Sequence, residues 1–199
     1  MKRTILRTAL ITFLSMILIT FFTAVIIGFA APKIMGKIYR DLGMNNASLT
    51  MYEKQYDKTG EIGDLNQVFK SAVLAGNKEK IAEYSYTLVK RRGEDLKKFC
   101  GSDKSKFMFY ANSAVEYNYA VNPDRSVDVA VNCGFDRRVY DAGSPLYFAI
   151  RFAIMKADAD FAESLYNEFD KYKSSFTDET TEKTLNADIL KLKEVYSKN

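Results

Sequence analysis

The chain has 199 residues, with 29 Lys and Arg against 25 Asp and Glu, two Cys and no His. The lack of imidazole excludes Ser-His-Asp and Cys-His nucleophile pairs, His-ligated zinc or haem, and histidine pH switches. Residues 1–40 carry six bases and no acid, whereas residues 41–199 carry 23 bases and all 25 acids. Residues 41–199 therefore lack the net positive charge that binds nucleic acid, and we predict no nucleic-acid partner.

The N-terminal segment contains the strongest pattern in the sequence. Residues 1–8 form a short basic tail, and residues 9–31 form a run of 23 uncharged, mostly apolar residues. As a helix rising about 1.5 Å per residue, this run matches the roughly 30 Å core of a bilayer, so we predict a transmembrane helix over 9–31. A cleaved secretory signal is the alternative, with small residues around Gly28-Phe29-Ala30, although the run exceeds the roughly 7–15 apolar residues typical of such signals.

The flanks and one face of this segment suggest its orientation and its pairing. The basic flanking residues are Lys2, Arg3, Arg7, Lys33, Lys37 and Arg40. The flanks are balanced, but the very short leading tail favours a cytoplasmic N-terminus, with residues 33–199 outside a bacterial cell and the lipid bilayer as a partner. Thr20, Ala24 and Gly28 have the small-xxx-small spacing that permits a homodimer through the transmembrane helix, the alternative being a monomeric anchor.

An apolar pattern of helical period follows this segment and recurs three times. Residues 33–60 are predicted to form a juxtamembrane helix and a linker. Residues 61–176 repeat a template with apolar positions at n, n+3, n+4, n+7 and n+8 and then at n+16, n+19 and n+23, starting at Leu65, Ala111 and Leu146. Each copy predicts a hairpin of two helices, and residues 177–199 predict a C-terminal capping helix.

The middle copy of the template is the least regular of the three. Asn118 stands at an apolar position, and residues 127–131 alternate as a strand would. The predicted N-caps at Asn77, Asn122 and Ser144, the last two followed by proline, favour helices instead. We therefore predict an all-α fold, with an α+β fold containing a β-hairpin at about 114–133 as the alternative.

A helical hairpin of about 34 residues resembles the tetratricopeptide repeat, and so does the segment from Ala75-Gly76-Asn77 to Tyr84. The resemblance covers residues 62–95, 108–141 and 143–176. Bulky Phe69, Val115 and Ile150 occupy a position where the family has a small residue, so the domain is TPR-like. The resemblance implies a solenoid whose first helices line a groove for peptide segments. By offset, the candidate groove residues are Asn66, Lys70, Asn112, Glu116, Tyr147 and Arg151.

The remaining chemistry-bearing residues are few. Cys100 and Cys133 are candidates for a disulfide outside the cytoplasm, the alternative being two separate thiols, because the sequence does not set their separation. Two Cys without His are too few for a zinc site. The chain also lacks nucleotide-binding glycine motifs and the GxSxG motif, so we predict no metal, no cofactor and no catalytic residue.

These patterns predict a membrane-anchored module that binds or scaffolds an unidentified protein without catalysis. The first alternative is an accessory or assembly subunit of a membrane protein complex. The second is a hydrolase that uses a Ser-Lys pair or carboxylates without a recognisable motif.

Overall fold

The computed structural model describes residues 2–134, 140, 144–170 and 179–197, without the side chains of residues 2–6, 24, 27, 29 and 179–182. Within these ranges the elements are helices and no strand occurs, which confirms the predicted all-α class. The helices are α1 (Lys2–Ala30), α2 (Pro32–Asp41), α3 (Asn45–Thr59), α4 (Ile62–Ala75), α5 (Lys78–Tyr86), α6 (Gly93–Cys100), α7 (Lys104–Val121), α8 (Pro123–Asn132), α9 (Pro145–Lys156), α10 (Ala159–Asp170) and α11 (Glu179–Tyr196), with a π-helical turn over Thr87–Arg91.

The membrane prediction for α1 requires correction. Among the residues whose side chains are described, no helix is both long and apolar enough to cross a membrane. This finding contradicts the transmembrane helix predicted over 9–31, together with the single-pass location and orientation that depended on it.

Helices α2 to α11 pack against one another, mostly between helices close in the chain. Residues 33–60 contain two helices, α2 and α3, which pack against each other, and α3 packs against α4. Helix α5 packs against α7, α7 against α8 and α9, and α8 against α9 and α10, while α11 covers α9 and α10. The predicted apolar positions of α4, α7 and α9 are buried at Leu65, Val68, Phe69, Ala72, Ala111, Ala114, Val115, Leu146, Ala149, Ile150 and Ala153. The predicted hairpins 108–141 and 143–176 extend at their ends beyond the described residues.

The N-caps at Asn122 and Ser144 explain why the region for which the sequence left a β-hairpin as the alternative is helical. Asn122 accepts a hydrogen bond from the Arg125 amide at 3.3 Å, and Pro123 opens α8. Ser144 accepts one from the Tyr147 amide at 3.1 Å. Because α7 and α8 cover residues 114–132, the alternative of a β-hairpin there is wrong. A side-chain cap satisfies an amide that the first turn leaves unpaired, and this outweighs the strand-like alternation of residues 127–131.

Asn118 explains why the middle hairpin departs from the apolar template. Its side chain is fully buried, and its Nδ2 donates to the carbonyl of Ala82 in α5 at 2.9 Å and to that of Ala114 at 2.8 Å. The amide therefore joins α5 to α7 where the template expected only apolar contact. These bonds satisfy the buried Nδ2 group, whereas the buried Oδ1 has no hydrogen-bond partner among the described residues.

Helices α2 and α3 approach closely at Gly36. A Cβ placed on this residue would lie 3.0–3.1 Å from three ring atoms of Tyr52, which is buried, and the Gly36 carbonyl accepts a hydrogen bond from Ser48 Oγ at 2.8 Å. We expect Gly36→Ala to destabilise the fold by about 1 kcal/mol, because overpacking of roughly 1–3 kcal/mol exceeds the helix propensity gained. The matched variant Gly63→Ala, where a Cβ would meet nothing within 4 Å, should be stabilising. Urea unfolding of both variants tests this difference, and a stable Gly36→Ala protein would contradict it.

The same end of the fold contains a buried carboxylate at Asp64. Thr59 and Gln55 donate to its Oδ2 at 2.8 and 3.1 Å, and Lys33 Nζ lies 3.2 Å from its Oδ1. Burial acts to raise the pKa of Asp64, but the hydrogen bonds and the Lys33 ammonium outweigh it and hold this pKa below its ordinary value.

A carboxylate whose pKa is lower in the folded state stabilises the fold above its unfolded pKa of about 3.9, and loses that effect as the pH falls through the folded pKa. We therefore expect the free energy of unfolding of the native chain to exceed that of Asp64→Asn at neutral pH. The gap should shrink between about pH 4 and the lower folded pKa. Unfolding curves of both proteins across this pH range provide the measurement, and a gap that does not change with pH would exclude the ionised Asp64 as its source.

Candidate peptide-binding groove

The six candidate groove residues lie on α4, α7 and α9, and α7 contacts both of the other two. An aromatic cluster joins α4 to α7, with the ring centroid of Phe69 at 5.8 Å from Phe109 and 5.4 Å from Tyr110. Helix α7 packs directly on α9. We call the contact line between α4 and α7 the α4–α7 seam.

Asn66 forms a buried hydrogen bond across this seam. It is buried, and its Oδ1 accepts a hydrogen bond from the Tyr110 hydroxyl at 2.6 Å. Burial raises the pKa of Tyr110 to about 12, so the hydroxyl remains a donor at physiological pH. Asn66 therefore holds two helices together, and its Oδ1 is already occupied.

Asn112 holds the equivalent position in the second hairpin but lacks the equivalent bond. The residue is partly exposed, and its Oδ1 faces inward with no hydrogen-bond partner among the described residues. A half-turn of the amide exchanges Oδ1 and Nδ2, so either group can face outward. A buried acceptor without a partner costs roughly 1–3 kcal/mol, which makes Asn112 the least satisfied of the candidate groove residues.

Exposed side chains line both sides of the seam. Lys70 and Val73 are exposed on α4, and Glu116 is exposed on α7, one turn from Asn112. Phe109 also lies on this face of α7, and 53% of its surface is exposed despite its ring contacts. Phe109 precedes the template by two positions, so the offsets that selected the other residues did not select it. Its position one helical turn before the candidate residue Asn112 is the sequence feature that could have identified Phe109.

Arg151 binds the C-terminal helix and also contacts Tyr147. The Arg151 guanidinium lies 4.9 Å from the centroid of the Tyr147 ring, and its Nη2 lies 3.2 Å from both carboxylate oxygens of Asp188 in α11. Asp188 is buried and also accepts a hydrogen bond from the Tyr140 hydroxyl at 3.0 Å. Arg151 therefore neutralises a carboxylate of its own chain. Asp188 follows Leu185 by three residues, on the apolar face of α11, and that spacing was its only sequence signal.

The other candidate residues lie away from the seam. Cys100 and Cys133 are buried thiols that are not joined by a disulfide, and burial raises the pKa of Cys100. Lys33 pairs with Asp64, and Arg40 donates to Gln67 at 3.3 Å. The remaining candidates are exposed Arg7 and Lys37, Thr20 and Gly28 on α1, and Lys2, Arg3 and Ala24, whose side chains lie outside the described residues.

Two cavities open elsewhere among helices α2 to α11, and none of the six candidate groove residues lines either of them. One, of about 260 Å³, lies between the π-helical turn, α6 and the end of α8, where Lys90, Arg92 and Lys97 pair with Asp128, Asp95 and Glu94 at 2.6, 2.8 and 3.1 Å. The other, of about 480 Å³, lies between α8 and α10. The described residues contain no group of three or more potential ligands arranged to hold a metal ion.

Comparisons of the chain with protein-family models, with characterised proteins and with solved structures found no match. The TPR-like resemblance therefore stays a prediction from the residues.

The hydrogen bond between Tyr110 and Asn66 provides a test of the seam. We expect Tyr110→Phe to lower the free energy of unfolding by about 1–3 kcal/mol, because it leaves a buried acceptor unpaired. In an Asn66→Ala background the same change should cost less, since the acceptor is already gone. Urea unfolding of the two single variants and the double variant measures the coupling. Additive effects would mean that this bond contributes nothing to the joining of α4 and α7.

Proposed function

We propose that this chain is a protein-binding module that holds an extended peptide segment along the α4–α7 seam. The observation that carries the proposal is the half-exposed ring of Phe109. Aromatic residues dominate the binding energy of protein interfaces when a partner covers them. Here the ring is held edge-on by Phe69 and Tyr110, so little conformational freedom remains to be lost on binding.

The surroundings of Phe109 suit a peptide. Val73 extends the apolar surface on α4, and Lys70 and Glu116 place one charge of each sign beside it. Whichever group of the Asn112 amide faces outward, Nδ2 or Oδ1, can donate to or accept from a peptide backbone. An apolar anchor with a few polar groups around it is the usual composition of a recognition site.

The proposed site is narrower than the groove that the resemblance implies. Arg151 is excluded because its charge is already balanced by Asp188. Asn66 contributes as a support, through its bond with Tyr110. The resemblance of the sequence to tetratricopeptide repeats, whose first helices line a groove, is a further reason for the proposal. The proposal assigns no catalytic role to any residue.

A selection from a random peptide library displayed on phage tests this function. The full chain is kept in a nonionic detergent, because α1 exposes many large apolar side chains. We expect Phe109→Ala to weaken the enriched peptides by about 30-fold, equivalent to the roughly 2 kcal/mol of an interface hot spot. Asn112→Ala should weaken them less.

Val121→Ala is the matched control, since Val121 is an exposed apolar residue at the far end of the same helix. Circular dichroism verifies that each variant keeps its helix content. Failure to enrich any peptide, or equal affinity for the native chain and Phe109→Ala, would refute the site.

A further inference from the structure

Helix α1 carries an extensive apolar surface. Twelve of its large apolar side chains are 39–65% exposed, namely Leu10, Ile11, Phe13, Leu14, Met16, Ile17, Leu18, Ile19, Phe21, Phe22, Val25 and Ile26. No charged residue lies between Arg7 and Lys33, and α2 is the neighbour against which α1 packs. A helix that is apolar around its circumference needs other apolar surface to cover it.

One face of α1 is shaped to receive another helix. An apolar groove of about 420 Å³ is lined by Phe13, Met16, Ile17, Thr20 and Phe21, which follow the spacing of a single helix face. The groove forms because Thr20 is small among large neighbours. Its hydroxyl donates to the Met16 carbonyl at 2.8 Å, so the polar group is satisfied within the helix.

We propose that this groove is the contact surface for α1 of a second copy of the chain, in a parallel, two-fold symmetric pair. In this arrangement each Thr20 faces its own counterpart, so the two grooves meet and the helix backbones approach closely at this point. In an antiparallel pair, Thr20 would instead face the large residues near position 14.

The exposed area favours a second copy as the occupant. Leu10, Phe13, Met16, Ile17 and Phe21 each expose 50–64% of their surface, on the order of 100 Å² apiece. Two copies would bury roughly 1,000 Å² in total, which is the area that a specific interface requires. Because the face carries no charge, identical surfaces meet without repulsion. The proposal is independent of the seam and of its peptide.

Cysteine cross-linking of the full chain in nonionic detergent tests the pairing directly. Thr20→Cys should form a disulfide-linked dimer under mild oxidation. Ser15→Cys, an exposed position on the opposite face about 7.5 Å earlier along the helix axis, should form no disulfide-linked dimer. The native Cys100 and Cys133 are buried and serve as the background in both proteins.

A second experiment replaces Thr20 by a larger side chain and measures the dimer dissociation constant. Thr20→Phe fills the groove, and overpacking of about 1–3 kcal/mol should raise the dimer dissociation constant by roughly 5- to 150-fold in sedimentation equilibrium. Ser15→Phe should leave the constant unchanged. A monomer covered by detergent alone, equal cross-linking at both positions, or an unchanged constant for Thr20→Phe would overturn the proposal. If Thr20→Phe loses helix content, the cross-linking comparison decides.

Discussion

The packing of α7 against its neighbours is the constraint on which the rest of the fold depends. Helix α7 contacts α5, α8 and α9, and its aromatic residues also reach α4. Two buried polar bonds secure it, from Asn118 to the Ala82 carbonyl in α5 and from Ser126 in α8 to the Val115 carbonyl at 2.7 Å. A helical hairpin cannot bury its apolar face alone, so the first and third hairpins depend on this central helix for their cores. The position of α7 also determines where the α4–α7 seam lies.

The helices could be predicted from local pattern because their causes are local. Apolar spacing specified the buried faces of α4, α7 and α9, and the caps at Asn122 and Ser144 specified where helices begin. The buried polar groups could not be predicted in this way. Asp188 is stabilised by Arg151, which lies 37 residues earlier in the chain, and Asn118 finds the Ala82 carbonyl 36 residues earlier. The residue pattern of one helix does not identify the distant residue whose hydrogen bond or charge offsets the cost of burying a polar side chain.

The candidate groove residues could likewise be predicted only in part from the sequence. Offsets within a repeat placed six residues on the first helices, but an offset does not state whether a side chain is available. Asn66 and Arg151 are bound within the chain, whereas Lys70 and Glu116 remain exposed. Phe109 was missed because the template recorded apolar positions that become buried. A half-exposed aromatic residue differs from a buried one only through its three-dimensional surroundings, which the spacing does not describe.

The two proposed surfaces are linked through geometry. The buried core extends from α3 to α11 and contains no described residue of α1, so the seam needs no second copy in order to exist. A parallel pair of α1 helices would nevertheless place two seams at the same end of the dimer. A partner with two suitable segments would then bind the second seam intramolecularly, at an effective concentration set by the linker between its segments. Avidity of this kind exceeds the affinity of one seam without any new contact, and it disappears for a partner with a single segment. The helix with the fewest contacts to the core would in this way control how strongly the core binds.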